Sequence, residues 1–253
     1  MKITLLTLFL LVIYSNAFAS LTIVQHTNNG FSLPVSTTWS LPITATGNGN
    51  LLVAGILSAC SSQYATISSV SDGTNNFTQF PNAVGETLVS PTYYLSDVWY
   101  LPKSNSAKTT ITVNLNTSGD ISVEIWEISG FTNPIPDVAG VVNNGTDVAN
   151  TDTGAAVITT STTGFVVGEN CTQYQVTANP AAGNEFTSGG DIDPNHNGFC
   201  SLISSTAASH QPTWTDSTNG SLFVSSTAAF KEGGATSSTI RGKSTIGGNS
   251  SIY

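Results

Sequence analysis

The length and spacing of the apolar runs constrain this chain more than any other feature. The runs are five to nine residues long and rich in Val, Ile, Thr and aromatic side chains. They lie at 21–25 (LTIVQ), 41–45 (LPITA), 50–58 (NLLVAGILS), 65–71 (ATISSVS), 93–101 (YYLSDVWYL) and 109–115 (TTITVNL). Further runs occupy 121–129 (ISVEIWEIS), 155–161 (AAVITTS), 164–169 (GFVVGE), 198–204 (GFCSLIS) and 221–229 (SLFVSSTAA). Gly, Asn, Asp and Pro separate them, as at Gly47-Asn48-Gly49-Asn50, Asp72-Gly73 and Ser118-Gly119-Asp120. A helix would need an apolar period near 3.6 over 11–18 residues, and no stretch sustains one. Short strands without intervening helices predict an all-β chain, an antiparallel two-sheet β-sandwich or jelly roll.

The two halves of the chain resemble each other. The first reads LPITATGNGNLLVAG, DGTNNFTQF, SDVWYLP, GDISVEIWEISGF, and the second AAVITTSTTGFVVG, AAGNEFTSG, NGFCSLIS, NGSLFVSSTAAF. Each half, about 20–131 and 153–231, offers few strands and a small core, so one sandwich over 20–232 is expected rather than two domains. The stretch 131–153 joins them. From 233 to 253 the chain is rich in Gly, Ser and Thr and reads as a flexible tail.

The first 19 residues read as an export signal. Met1-Lys2 is a basic start, Ile3 to Tyr14 an apolar stretch too short to span a bilayer, and Ala17-Phe18-Ala19 a small-x-small cleavage pattern. A signal peptide cleaved after Ala19 and a secreted or cell-surface protein without a membrane span are expected. Only 8% of residues are charged, with 6 Lys+Arg against 15 Asp+Glu. A chain this poor in cations cannot neutralise a phosphate backbone or hold an anionic lipid surface, so nucleic acid is excluded as a partner. Ser and Thr contribute 33 and 36 residues, which suits outward strand faces and turns. Six Asn-x-Ser/Thr sequons occur, at Asn76, Asn116, Asn144, Asn170, Asn219 and Asn249. Chance predicts about that number for this composition, so they say nothing of glycosylation or host.

Four patterns in the sequence bear on chemistry. The three His residues, His26, His196 and His210, accompany no G-x-S-x-G elbow, so a serine triad has no sequence support. Glu124 and Glu127 sit three apart on one strand, a spacing that points them to opposite faces and counts against paired-carboxylate glycosidase chemistry. In that reading Glu124 is a solvated strand position and Glu127 a strand-end charge. Asp191, Asp193, Asn195 and Asn197 place oxygen donors at alternate loop positions, as the start of a calcium loop does. His196 stands where an EF-hand has Gly, so calcium is the candidate cofactor of an irregular loop, set against a plain Asx-rich turn. Cys171 and Cys200 both fall in strand-like runs and are the favoured disulfide in an oxidising compartment, with Cys60–Cys171 as the alternative.

Aromatic side chains supply the binding candidates. In a two-layer sandwich only one face of each strand is core, yet YYLSDVWYL carries large side chains on both. Tyr93 and Trp99 on that strand, and Trp126 on another, are therefore candidate ligand-binding residues on which a sugar ring could stack. Trp39 and Trp214 read as strand-edge residues.

The order VQH (Val24–His26), GNGNLLVAG, VSDGTNNFTQF, YYLSDVWYL, TTITVNL, VEIWEISGF, NPIPDV and SSTAAFK resembles an extracellular β-sandwich module that recurs in secreted and surface proteins of bacteria, often in tandem. The resemblance covers about residues 21–231 and implies a sandwich at the cell exterior, adhesive or sugar-binding. It carries over no residue roles. The expected function is non-enzymatic adhesion or binding of polysaccharide or surface glycan. The alternative is a self-associating subunit of an extracellular filament, surface layer or matrix, and behind both stands a glycoside hydrolase.

Overall fold

The computed structural model describes residues 20–29, 35–60, 63–188 and 197–233. Residues 1–19, 30–34, 61–62, 189–196 and 234–253, which include the expected signal peptide and tail, lie outside them. None of the described residues is helical, and no helix there is long and apolar enough to cross a membrane. The chain is an all-β antiparallel sandwich built from two similar halves.

The first half comprises β1 (Thr22–Asn28), β2 (Ser36–Pro42), β3 (Leu51–Cys60), β4 (Ile67–Ser71), β5 (Thr78–Val89), β6 (Thr92–Leu101) and β7 (Thr110–Ser129). The joining stretch forms β8 (Pro134–Pro136), β9 (Val141–Thr146) and β10 (Thr151–Thr153). The second half comprises β11 (Val157–Ile158), β12 (Gly164–Thr172), β13 (Val176–Ala178), β14 (Thr187–Ser188), β15 (Asn197–Ser204), β16 (Ser209–His210), β17 (Thr213–Asp216) and β18 (Leu222–Glu232).

The halves repeat one topology. The large sheet of the first half runs β1-β7-β3-β6-β5, and that of the second runs β18-β12-β15-β14 with β8 and β9 on the far side of β18. β7, β3, β6 and β5 thus correspond in order to β18, β12, β15 and β14. β7 is long enough to serve two sheets: Asp120–Ser129 pairs with β3 and β1, and Thr110–Leu115 pairs with β2 and β4. The second half splits that role, with β11 on β16 and β10-β17-β13 as separate small sheets.

Side-chain alternation assigns every face. On β3, Leu52, Ala54 and Ile56 point toward the small sheet of the first half, where they meet Leu41, Val70, Ile111 and Val123. Leu51, Val53 and Leu57 point the other way, into a second core shared with Phe165, Val167, Phe199, Val224 and Phe230 of the second half. A third core, around Val166, Cys200, Trp214 and Ala229, lies between the second large sheet and its small sheets. The sandwich is therefore stacked more deeply than two sheets allow: small sheet, large sheet, large sheet, small sheets. Both faces of each large sheet are buried, which explains the unbroken apolar run of β3, buried at nine of its ten positions.

The same alternation excludes the favoured disulfide. Gly168 pairs with Cys200, so Cys200 shares the face of Val166, Gly168 and Asn170 and sits in the third core. Cys171 shares the face of Phe165, Val167 and Glu169 and sits in the central core. The Cys171 and Cys200 thiols point to opposite sides of one sheet, a geometry that no disulfide bridges. Cys60, in the first core, is likewise on a different layer from Cys171.

Phe230 joins the halves most directly. It is fully buried, with its ring centroid 5.0 Å from Phe80 and 5.4 Å from Tyr100, both on the opposing sheet. Phe230→Ala removes this edge-to-face cluster and leaves a cavity between the large sheets. A loss of about 3–5 kcal/mol in urea-induced unfolding is expected.

Candidate functional site

Four places bear on function: the aromatic strand β6, the acids of β7, a buried carboxyl between the large sheets, and three aspartates at one end of the second half.

The structure divides the predicted aromatic residues. Trp126 is fully buried in the central core, edge-on to Phe165 at 6.4 Å and Phe199 at 6.3 Å between ring centroids. It is a packing residue and cannot stack a ligand, because the second half covers the face that a two-layer sandwich would leave open. Trp39 and Trp214 are also buried, with Trp214 Nε1 donating to Asn179 Oδ1 at 2.9 Å. Trp99 and Tyr93 remain half-buried. They share one face of β6 but not one platform, since Leu95 and Asp97 between them are buried. Trp99 packs on the first core and donates from Nε1 to Asp97 Oδ2 at 2.8 Å.

Tyr93 gains a partner that the sequence did not suggest. Tyr64 stands edge-on to it, with centroids 4.9 Å apart, and Leu88, opposite Tyr93 in the β5–β6 register, is 47% exposed. Glu86, exposed and on the same face of β5, completes a polar margin. Burial first, then the nearby Glu86 charge, pushes the Tyr64 hydroxyl above its ordinary pKa. The result is an apolar ring pair, half open to solvent, beside an acceptor.

The two glutamates of β7 point to opposite faces, as their spacing requires, but both are fully buried rather than solvated. Glu127 faces the first core side and accepts from Gln25 Nε2 at 2.5 Å, Gly47 N at 2.7 Å and Asn50 Nδ2 at 2.6 Å. It ties β1 and the β2–β3 loop to β7. Glu124 faces the central core, with His26 Nδ1 3.2 Å from its Oε1. It lies directly opposite Gly55, and a Cβ built on Gly55 would come within 2.6 Å of Glu169 Oε2 from the opposing sheet. Gly55 is thus a seat without a side chain for an acid of the second half. Ser96 Oγ lies 2.8 Å from Glu169 Oε1 and 2.7 Å from Ser226 Oγ. Burial pushes the Glu169 carboxyl well above the usual carboxylate range. Trp126 and Phe199 wall this centre. All three acids, Glu124, Glu127 and Glu169, are enclosed by protein.

The predicted calcium loop falls mostly beyond the described residues, which exclude Asp191, Asp193 and Asn195. Asn197 is buried on β15, opposite Cys171 and facing the central core. A different set of acids is assembled by the fold. Asp147 follows β9, Asp152 lies on β10 and Asp216 ends β17; all three are buried, with one carboxylate oxygen from each within 4.8 Å of the others. The sequence alone does not unite them, because Asp216 lies 64 residues beyond Asp152 and is brought in only by the pairing of β10 with β17. The available signal was an Asp inside strand-like Thr-rich stretches (TDT, TWTD), against β-propensity. Burial first, then the charge of Asp216, pushes Asp152 up to about 8, and burial also raises Asp216.

No protein-family model matches this chain, and no curated protein is significantly similar to it in sequence. Function is therefore argued from the residues.

Several buried acids set the pH dependence. Asp97 is raised to about 7 by burial, which outweighs its hydrogen bonds from Trp99 and Gln79. Such a carboxyl holds its proton more tightly folded than unfolded. Its stabilisation is complete below about pH 4 and is lost as pH rises through about 7. Asp72 and Asp137 act oppositely. Burial opposes their ionisation, but hydrogen bonds from Asn75 and Thr74, and from Thr160 and Lys231, hold them below the usual range. Stability should peak at mildly acidic pH. Asp97→Asn should flatten the decline between about pH 4 and 7, by an amount of order 2–4 kcal/mol. Thermal melts across that pH range check this.

Proposed function

We propose that this chain is a secreted, non-enzymatic β-sandwich that binds a saccharide ligand at the cell exterior, as an adhesive or carbohydrate-binding module. The observation that carries the reading is the half-exposed Tyr64–Tyr93 pair with Leu88 and Glu86 beside it. Aromatic faces with an adjacent acceptor suit a pyranose, which offers apolar C–H faces and hydroxyl donors together. The expected export signal and the Ser/Thr-rich, sparsely charged composition support the exterior setting. The burial of Glu124, Glu127 and Glu169 supports a non-enzymatic role, since acids that could serve in hydrolysis are enclosed.

A second reading, self-association into a filament or layer, is favoured by the sheet edges. β1 and β5 are terminal strands of the first large sheet, and Val24, Val84 and Leu88 on them are exposed. Electron microscopy and light scattering of the purified chain test it, and a strict monomer rejects it.

For the binding reading, a glycan array with wild type and Tyr93→Ala is decisive. At least one saccharide should bind wild type, and loss of the ring should weaken it about tenfold, the effect of one aromatic contact. Binding unaffected by Tyr93→Ala would reject this face, and no binding at all would reject the carbohydrate reading.

A further inference from the structure

We propose that Asp147, Asp152 and Asp216, with Asn170, form a calcium site that clamps the small sheet of the second half onto its large sheet. The four residues come from separate places in the fold. Asp147 follows β9 on the large sheet, and Asp152 and Asp216 belong to β10 and β17 of a small sheet. Asn170 is on β12, on the face that points toward that small sheet. The chain reverses tightly between the first two acids, with a backbone bridge between Val148 and Thr151 and positive φ at Ala149 and Asn150.

Protein donors satisfy only part of this cluster, Asn170 reaching Asp152 and Thr172 and Ser221 reaching Asp216. Both carboxylate oxygens of Asp147 are buried without a hydrogen bond, as are Asp152 Oδ1, Asp216 Oδ1 and Asn170 Oδ1. The available donors reach only part of the set: Asn170 Nδ2 lies 2.6 Å from Asp152 Oδ2, and Thr172 Oγ1 donates to Asp216 Oδ2 at 2.7 Å. Among the described residues no Lys, Arg or His forms an ion pair with any of the three acids. Three buried carboxylates without a counter-charge are strongly unfavourable in a low-dielectric interior. A cation bound among the three carboxylates relieves this.

The donor chemistry selects the ion. All donors are hard oxygens, which excludes soft-metal sites. Oxygens within 4.8 Å of one another can be spanned by an ion bound at about 2.3–2.6 Å. Magnesium keeps several waters, whereas this cluster is enclosed by protein, and an all-protein oxygen cage suits calcium. Rotation of the Asn170 carboxamide exchanges its nitrogen for its oxygen and adds a neutral ligand.

Thermal unfolding in EGTA and in about 1–5 mM calcium, the range extracellular calcium modules require, tests the assignment. Calcium should raise the wild-type midpoint by at least about 4 °C. Asp152→Asn should abolish that rise and, as a neutral isostere within a buried acidic cluster, melt no lower than wild type in EGTA. Asp147→Asn serves as the second variant if the first does not fold. Terbium gives an independent signal, because buried Trp214 lies opposite Asp152 in the register and two residues before Asp216. Terbium emission excited through tryptophan should appear with wild type, be displaced by calcium and vanish in either variant. An unshifted wild-type midpoint without terbium emission overturns the site. A calcium shift that survives in both variants, or an equal shift with magnesium, overturns it as well.

Discussion

Everything in this structure depends on the burial of two large sheets against each other. Each half could close its own small sandwich, but the outer face of its large sheet would then lie bare. Leu51, Val53, Leu57, Tyr94 and Trp126 on one side, and Phe165, Val167, Phe199, Val224 and Phe230 on the other, are the side chains that would be left in water. Apolar area of this extent contributes about 25 cal/mol per Å² on leaving water, so the halves cohere through a core as large as their own. The joining strands β8 and β9 reinforce this by pairing with β18, so the connection between the halves is itself part of the second large sheet.

That double burial carries a cost that the polar residues reveal. A face assembled from two halves must accommodate backbone close to backbone, and small or polar residues mark the closest places. Ser226 on β18 is fully buried, and Ser96 Oγ of the opposing sheet meets both Ser226 and Glu169 across the central core. Gly55 leaves the space that Glu169 fills. Apart from Glu124 beside His26 and Asp137 on Lys231, the acids described within the layers are held by neutral donors or by proton uptake, as expected of a chain with 6 Lys+Arg. The same scarcity of cations is why the aspartate trio in the second half lacks a basic partner and is suited to a metal ion.

Strand positions were legible in the sequence because period-two patterning and turn residues are local signals. LLVAGIL, SDVWYL and EIWEIS lie in β3, β6 and β7, and the half-to-half similarity surfaced as a shared strand order. The aromatic assignment failed at Trp126 for an identifiable reason. Alternation shows which residues share a face, but it does not show whether that face meets water or another sheet. Tyr93 kept a place in a half-exposed cluster, while its partner Tyr64 came from a loop whose position only the fold defines. The expected solvation of Glu124 failed in the same way, and the Cys171–Cys200 pairing failed because membership of neighbouring strands does not specify a shared face.

The sequence by itself determined the all-β class, the antiparallel order of short strands and the twofold internal similarity, since each follows from contacts between near neighbours or from local backbone preference. It also determined the acidic, cation-poor character of the chain. Only the tertiary structure decided which faces are buried, which acids are enclosed and which oxygens converge. Those properties arise from residues far apart in the chain. Asp147 and Asp216 meet because β17 pairs with β10, and Glu169 meets Gly55 because two sheets stack, relations that no local pattern encodes.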